Sequence, residues 1–112
     1  SATNRLMFQA FLKETNFELT TAANGSEGLK TGSSEKFDVI FMDINMPDMN
    51  GDEVTRQLIA KGVETPIVAY TAGVLPQDIE QIHESGFAAT LLKPADKDAI
   101  LKQISALLPK VP

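Results

Sequence analysis

The sequence predicts an α/β domain with a doubly wound parallel sheet and helices on both of its faces. Short apolar runs of strand length alternate with longer segments in which apolar residues recur at helical spacing. Strands that alternate with helices imply parallel pairing through right-handed crossovers. Because 112 residues fit one small domain, we expect residues 1–112 to form a single unit.

Four segments are predicted as strands. The runs Phe37–Met42, Thr65–Tyr70 and Phe87–Leu92 are largely apolar, which is typical of parallel strands that are buried on both faces. The segment Phe17–Ala22 alternates between apolar and polar residues, so we place it at an edge of the sheet.

Helices are predicted before, between and after these strands. An opening helix covers Thr3–Glu14. Asn24 and Asn50 each begin an Asn-Gly-x-Glu sequence, which resembles an N-cap followed by the glutamate of a capping box. Three later helices are marked by apolar residues at helical spacing: Val54 and Leu58; Ile79 and Ile82, which follow Pro76; and Ile100, Ile104, Leu107 and Leu108.

The charge of the protein argues against direct contact with nucleic acid. The net charge is −5 and the pI is about 4.7. Contacts to nucleic-acid phosphates need clustered Lys and Arg, whereas the ten basic residues here are scattered.

Cysteine is absent, which excludes a disulfide framework and a thiolate zinc site. No apolar run approaches the roughly 18 residues that a membrane-spanning helix needs. The first five residues show no signal-peptide pattern. We therefore expect a cytoplasmic protein with no membrane segment in this chain.

Polar residues follow three of the predicted strands. Asp43 follows the first apolar run, Thr71 the second and Lys93 the third. Ligand sites of open α/β sheets lie at the carboxyl ends of the strands, so we expect these side chains to meet. A carboxylate, a hydroxyl and an ammonium group together suit phosphoryl transfer to the carboxylate, with a magnesium ion sharing the charge.

Each of these residues also has a structural interpretation when it is taken alone. An Asp after a strand often forms a turn, a Thr there is usually structural, and a Lys before proline is usually solvated. Three such residues at three strand ends favour the chemical interpretation. A cis bond between Lys93 and Pro94 would direct the ammonium group back across the strand ends.

Three segments resemble response-regulator receiver domains of two-component signalling. The loop Asp43–Gly51 is similar to their phosphorylation loop, Tyr70–Gly73 to their Thr/Ser segment, and Leu92–Pro94 to their Lys-Pro segment. The resemblance covers essentially the whole chain. Asn4 and Arg5 are similar to the start of receivers that belong to hybrid sensor histidine kinases.

The resemblance implies a flavodoxin-like fold with strand order 2-1-3-4-5 and a role for each residue of the site. Asp43 would accept the phosphoryl group. Thr71, through its hydroxyl, and Ala72, through its backbone N–H, would bind phosphoryl oxygens, and Lys93 would pair with the group. Asp43 and the backbone carbonyl of Asn45 would hold magnesium, and the Asn45 side chain would influence hydrolysis.

The implied partners are a histidine kinase or a histidine phosphotransfer protein, which supplies the phosphoryl group, and a downstream protein target. The domain would then act as a switch within a phosphorelay, through an aspartyl phosphate, rather than as an enzyme that turns over a substrate.

The sequence departs from the receiver pattern at two points. The aromatic switch residue that the family places three positions before the lysine is Thr90 here. The family also opens with a central strand that ends in an acidic pair, and this chain starts just after that pair. We therefore expect a gap between Phe17–Ala22 and Phe37–Met42, weak magnesium binding, and no stable isolated monomer of residues 1–112.

Two other functions remain open from the residues. A pseudo-receiver would bind partners without phosphorylation, as the missing acidic pair and Thr90 suggest. A small phosphohydrolase would need a second Asp two positions after the nucleophile as general acid, and that residue is Asn45. The one histidine, His83, lies within a predicted helix and is interpreted as a surface or packing residue.

Overall fold

The computed structural model describes residues 18–46, 48–72, 80 and 82–108. Along this part of the chain the elements are α1 (Gly25–Ser34), β1 (Ile40–Asp43), α2 (Gly51–Ala60), β2 (Ile67–Thr71), β3 (Ala89–Leu92) and α3 (Lys97–Leu107). The predicted opening helix Thr3–Glu14 lies outside the described residues, as do Pro76 and Ile79.

The three described strands form one parallel sheet in the order β1-β2-β3. They match the three predicted apolar strands, but each begins two or three residues later than predicted. Pro66 explains the start of β2, because proline has no N–H to donate to a ladder. The Pro66 carbonyl accepts the first bond of β1, from the N–H of Ile40, at 3.0 Å.

The predicted edge strand Phe17–Ala22 is wrong for its described part, because residues 18–22 form no strand. A strand needs a neighbour to pair with, and none of the described strands pairs with this segment. Residues 18–24, α1 and β1 instead line a cavity of about 490 Å³. The prediction that a central strand is missing concerns residues outside the described part and stays a prediction.

The core lies on both faces of the sheet because successive residues of a strand point to opposite sides. On one face, Ile67 and Ala69 of β2 pack with Val54 and Leu58 of α2. On the other face, Tyr70 packs with two residues of α3, namely Ile100 and Ile104. The apolar spacing that predicted α2 and α3 therefore identified the buried side of each helix.

The helix caps agree with the sequence at α1 but differ at α2. Asn24 caps α1 by accepting from the N–H of Glu27 at 2.9 Å. Asn50 is the N-cap residue of α2, as predicted, but its side chain makes no cap bond, so the predicted capping box at α2 is wrong. Asn50 instead pairs with Asn45 in an isolated antiparallel bridge that closes the loop after β1. Asp96 caps α3, a contact that the sequence analysis missed.

The end of the loop between β1 and α2 lies close to the beginning of that loop. The N–H of Gly51 donates to the carbonyl of Ile44 at 2.8 Å. A Cβ atom at position 51 would collide with the backbone carbonyl of Asp43. Glycine is needed at this position because the backbone of α2 approaches the end of β1 more closely than a side chain allows.

Asp48 joins this loop to the N-terminus of α1. Its carboxylate accepts from the N–H of Gly25 at 2.8 Å, and from the N–H and hydroxyl of Ser26 at 3.0 and 2.7 Å. The bond from the Ser26 hydroxyl, followed by the backbone bonds from Ser26 and Gly25, lowers the pKa of Asp48 from 3.8 to about 2. A carboxylate at this end of a helix also satisfies N–H groups that have no partner within the helix.

Replacing Thr55 with valine should stabilise the protein. The Thr55 hydroxyl is buried in α2, and no described residue offers it a hydrogen bond. Valine keeps the shape and removes the unpaired polar group, so the free energy of unfolding should rise by about 1 kcal/mol. Denaturant unfolding measures the change.

Thr65→Val is the matched control for Thr55→Val. The hydroxyl of Thr65 donates to the carbonyl of Phe37 at 2.9 Å, so the same substitution should here lower the free energy of unfolding by about 1 kcal/mol. Equal effects of the two substitutions would show that the burial of an unpaired hydroxyl does not govern stability at Thr55.

The contacts of Asp48 predict a stability difference that depends on pH. The pKa of Asp48 in the folded state lies below its ordinary value of 3.8. The contribution of the Asp48 contacts to the free energy of unfolding is therefore fully present above pH 3.8 and is lost as the pH falls through about 2. The melting-temperature difference between wild type and Asp48→Asn should therefore shrink over this window. Thermal unfolding across acidic pH measures it, and Ser26→Ala should weaken the pH dependence. A difference that stays constant down to pH 2 would contradict the prediction.

Candidate active site

The three residues singled out in the sequence lie together at the carboxyl edge of the sheet. Asp43 is the last residue of β1, Thr71 is the last residue of β2, and Lys93 directly follows β3. The strands are neighbours, with Asp43 in register with Tyr70 and Thr71 in register with Leu92. The parallel register thus gathers one carboxylate, one hydroxyl and one ammonium group at one edge.

Lys93 and Asp43 form the central contact of the site. The Lys93 Nζ lies 3.0 Å from Asp43 Oδ2, close enough for a charge-assisted hydrogen bond. The two side chains are 23% and 15% exposed, so solvent screens their attraction less than it would at an open surface. The Lys93–Pro94 bond is cis, as the sequence analysis considered.

The backbone fixes the other side of Asp43. Its Oδ1 accepts from the N–H of Asn45 at 3.3 Å, while the Asn45 side chain itself is exposed. The two carboxylate oxygens therefore contact different donors, one on the loop after β1 and one beyond β3. These contacts hold the carboxylate in one orientation at the strand end.

Thr71 is buried at 5% exposure, and its carbonyl accepts the N–H of Lys93 at 2.7 Å. This bond ties the start of the Lys-Pro segment to the end of β2. Ala72, whose N–H the resemblance assigns to phosphate binding, is the next residue and is exposed. Both residues therefore stand beside the pair formed by Asp43 and Lys93.

Tyr70 is a residue of the site that the sequence placed in a strand and in the Thr/Ser segment, without a role of its own. The Lys93 Nζ lies over its ring, 5.1 Å from the centroid, within the range of a cation–π contact. The available signal was an aromatic residue directly before the predicted Thr71. Recognising it required the strand register, which the sequence does not state.

Two further residues lie apart from this group. Thr90 is exposed on β3, in register with Ala69, so the position that the resemblance assigns to an aromatic switch carries a small side chain in contact with solvent. His83 is also exposed, which agrees with its interpretation as a surface residue.

The described residues supply few ligands for a metal ion. They contain no group of three or more His, Asp or Glu side chains that could hold one. Magnesium usually relies on one or two carboxylates together with waters and phosphate oxygens. The Asp43 carboxylate and the Asn45 carbonyl are oxygen ligands of the kind that magnesium binds. Two such ligands are too few to complete its coordination. In the same part of the chain, no helix is long and apolar enough to cross a bilayer.

Comparisons with known proteins identify the family. The family model of the response regulator receiver domain matches residues 1–105. Protein PilH of Pseudomonas aeruginosa is 35% identical over 111 residues, which cover 96% of this chain and 91% of PilH. The CAI-1 autoinducer sensor kinase/phosphatase CqsS of Vibrio cholerae is 35% identical over 98 residues, which cover 85% of this chain.

The curated relatives differ greatly in how much of their length this chain spans. It spans 14% of CqsS and 11% of the sensor histidine kinase RcsC of Salmonella typhi, to which it is 29% identical over 96% of its own length. The similarity to these large kinases is therefore confined to a small part of each.

Solved structures show the same fold. The chemotaxis protein CheY4 of Vibrio cholerae matches with a TM-score of 0.88 and 31% identity, over 96% of this chain and 92% of CheY4. The receiver domain of the sensor histidine kinase PA1611 of Pseudomonas aeruginosa, with magnesium in its active-site cleft, matches with a TM-score of 0.86 and 26% identity, over 96% and 89%.

These matches confirm the predicted fold class, and the order β1-β2-β3 agrees with the last three positions of the predicted order 2-1-3-4-5. The family model covers nearly the whole chain, and PilH is matched over nearly its whole length. The chain therefore belongs to the response regulator receiver domain family.

Proposed function

We propose that residues 1–112 form one receiver domain that acts as a phosphate-accepting switch, with Asp43 as the phosphoacceptor. The contact of 3.0 Å between Asp43 and Lys93, beside the end of β2, carries this proposal. A carboxylate held next to a cation and a hydroxyl can attack phosphorus while both neighbours hold the phosphoryl oxygens.

In the proposed step, a carboxylate oxygen of Asp43 attacks the phosphorus of a phosphohistidine on the partner. The new O–P bond forms as the N–P bond breaks, and the imidazole leaves with the electron pair of that bond and carries a proton taken up from water. The phosphoryl oxygens accept hydrogen bonds from the Lys93 ammonium group, the Thr71 hydroxyl and the Ala72 N–H. The product is an aspartyl phosphate, which places about two negative charges beside the Lys93 ammonium group.

Magnesium is the proposed cofactor, with the Asp43 carboxylate and the Asn45 carbonyl among its ligands. When bound, it would neutralise part of the charge on the phosphoryl group. The magnesium ion in the active-site cleft of the PA1611 receiver domain supports the proposal. Because the described residues contain no group of three or more His, Asp or Glu ligands, phosphoryl oxygens, waters or residues outside the described part would complete the set.

The proposed partners are a histidine kinase or a histidine phosphotransfer protein as donor, and a protein target whose binding changes with phosphorylation. The sequence similarity to part of the sensor histidine kinase RcsC supports the choice of a histidine kinase or phosphotransfer protein as donor. Thr90 would take the place of the switch residue, with a smaller side chain to move. We also propose a cytoplasmic location, where such donors supply phosphoryl groups.

A pseudo-receiver is the second candidate function. It is favoured by the small ligand set of the described site and by the exposed Thr90 in place of an aromatic residue. In that case the domain would bind its partner without phosphorylation. A small phosphohydrolase is disfavoured because Asn45 stands where that reaction needs a general acid.

Replacing Asp43 with Asn should abolish phosphorylation of the full-length protein. Acetyl phosphate with magnesium should label the wild type with an acid-stable, hydroxylamine-sensitive acyl phosphate, and chelation of magnesium should slow the labelling. The variant keeps the shape of the side chain but lacks the nucleophilic carboxylate. Quantified labelling of both proteins measures the effect.

Asp38→Asn is the matched control for Asp43→Asn. Asp38 is exposed and lies before β1, at the opposite end of the strand, so its variant should label like the wild type. Unchanged labelling of Asp43→Asn would refute the assignment. A wild type that binds its partner but takes no label would favour the pseudo-receiver.

Replacing Lys93 with Ala should weaken the response to phosphorylation more than it weakens the fold. A hydrogen bond between a cation and a phosphate contributes about 1.5–3 kcal/mol. The change in the free energy of partner binding that phosphorylation causes should become smaller by about that amount. Titration of the partner into both forms of the protein measures it. Lys97→Ala, at the exposed start of α3, is the control and should keep the full change. A full change in the Lys93 variant would mean that Lys93 does not hold the phosphoryl group.

A further inference from the structure

We propose that Tyr70 is the positioning residue for Lys93, because its ring holds the ammonium group over β2 and within reach of Asp43. The proposal deepens the proposed function and rests on it for its consequence in phosphoryl transfer. The observation that carries it is the contact between the Lys93 Nζ and the Tyr70 ring, 5.1 Å from the centroid.

The register of the sheet places Tyr70 on the path between the two charged residues. Asp43 is in register with Tyr70, and Tyr70 is in register with Leu91, so these residues form one row across the three strands. Neighbouring strands lie about 4.8 Å apart. Lys93 directly follows β3, and β2 lies between β3 and the strand that carries Asp43. To reach Asp43, its side chain must therefore cross β2, and it crosses at Tyr70.

The ring is well placed to act as a fixed support. Tyr70 is 3% exposed and packs with Ile100 and Ile104 of α3, so contacts with this helix restrict the movement of the ring. The Lys93 Nζ lies over this ring, 5.1 Å from its centroid. The negative face of the ring attracts the cation, and the attraction strengthens as water is removed.

The ammonium group consequently has two partners of different kinds. One is the Asp43 carboxylate at 3.0 Å, and the other is the Tyr70 ring. An ammonium group has three N–H donors, so a donor remains for a phosphoryl oxygen. When Asp43 becomes phosphorylated, the acceptor for Lys93 changes from a carboxylate to a phosphoryl oxygen, while the ring stays in place. An aliphatic residue at position 70 would fill the same space without attracting the cation.

The test uses the full-length protein with acetyl phosphate and magnesium, and compares Tyr70→Phe with Tyr70→Leu and Tyr70→Met. Phenylalanine keeps the aromatic face, so its labelling rate should stay within about twofold of the wild type. Leucine and methionine remove that face, so their rates should fall by about three- to tenfold. Thermal unfolding of each variant records any loss of stability separately.

A double-mutant cycle with Lys93→Ala separates positioning from packing. If Tyr70 acts through Lys93, Tyr70→Leu should have no further effect on the labelling rate once Lys93 is alanine. Equal losses in both backgrounds would mean that Tyr70 merely packs, and would overturn the proposal. A loss in Tyr70→Phe as large as that in Tyr70→Leu would overturn it as well.

A measurement without phosphorylation distinguishes failure of this proposal from failure of the proposed function. In the protein labelled with ¹³C-lysine, the Lys93 Hε resonances should be shifted upfield by the ring in the wild type and in Tyr70→Phe. They should return to ordinary lysine values in Tyr70→Leu and Tyr70→Met. Identical shifts in all four proteins would overturn the positioning role, whether or not Asp43 accepts a phosphoryl group.

Discussion

The parallel register of three strands is the constraint on which the site depends. It sets Asp43 beside Tyr70 and Tyr70 beside Leu91, and the ion pair of 3.0 Å follows from that row. The same alternation along β2 directs Ala69 toward α2 and Tyr70 toward α3. A shift of one residue between β1 and β2 would move the partner of Asp43 to the opposite face, so core packing and site geometry are set together.

The site was largely predictable from the sequence where a local pattern determines the structure. Apolar runs that end in polar residues identified Asp43, Thr71 and Lys93, because strand ends share an edge in a parallel sheet. Local patterns were less reliable at the ends of elements. Because of Pro66, β2 begins later than predicted, and the side chain of the N-cap residue Asn50 makes no bond to α2.

What the sequence did not reveal depends on residues that are distant along the chain. Asp48 contacts Gly25 and Ser26, which precede it by 23 and 22 positions, so no local spacing indicates its role. Tyr70 and Lys93 are likewise brought together only by the pairing of β2 with the strand that precedes Lys93. In both cases the side chain type was unremarkable, and its importance came from the neighbour that the fold supplied.

The close approach at Gly51 has a mechanical consequence. Since even a Cβ atom at position 51 would collide with the carbonyl of Asp43, the first turn of α2 has little room to advance toward the end of β1. The N-terminus of α2 is therefore packed directly against the backbone of the proposed phosphoacceptor. Any displacement of Asp43 that pushes on the loop is therefore passed toward α1, because Asp48 ties the loop to Gly25 and Ser26.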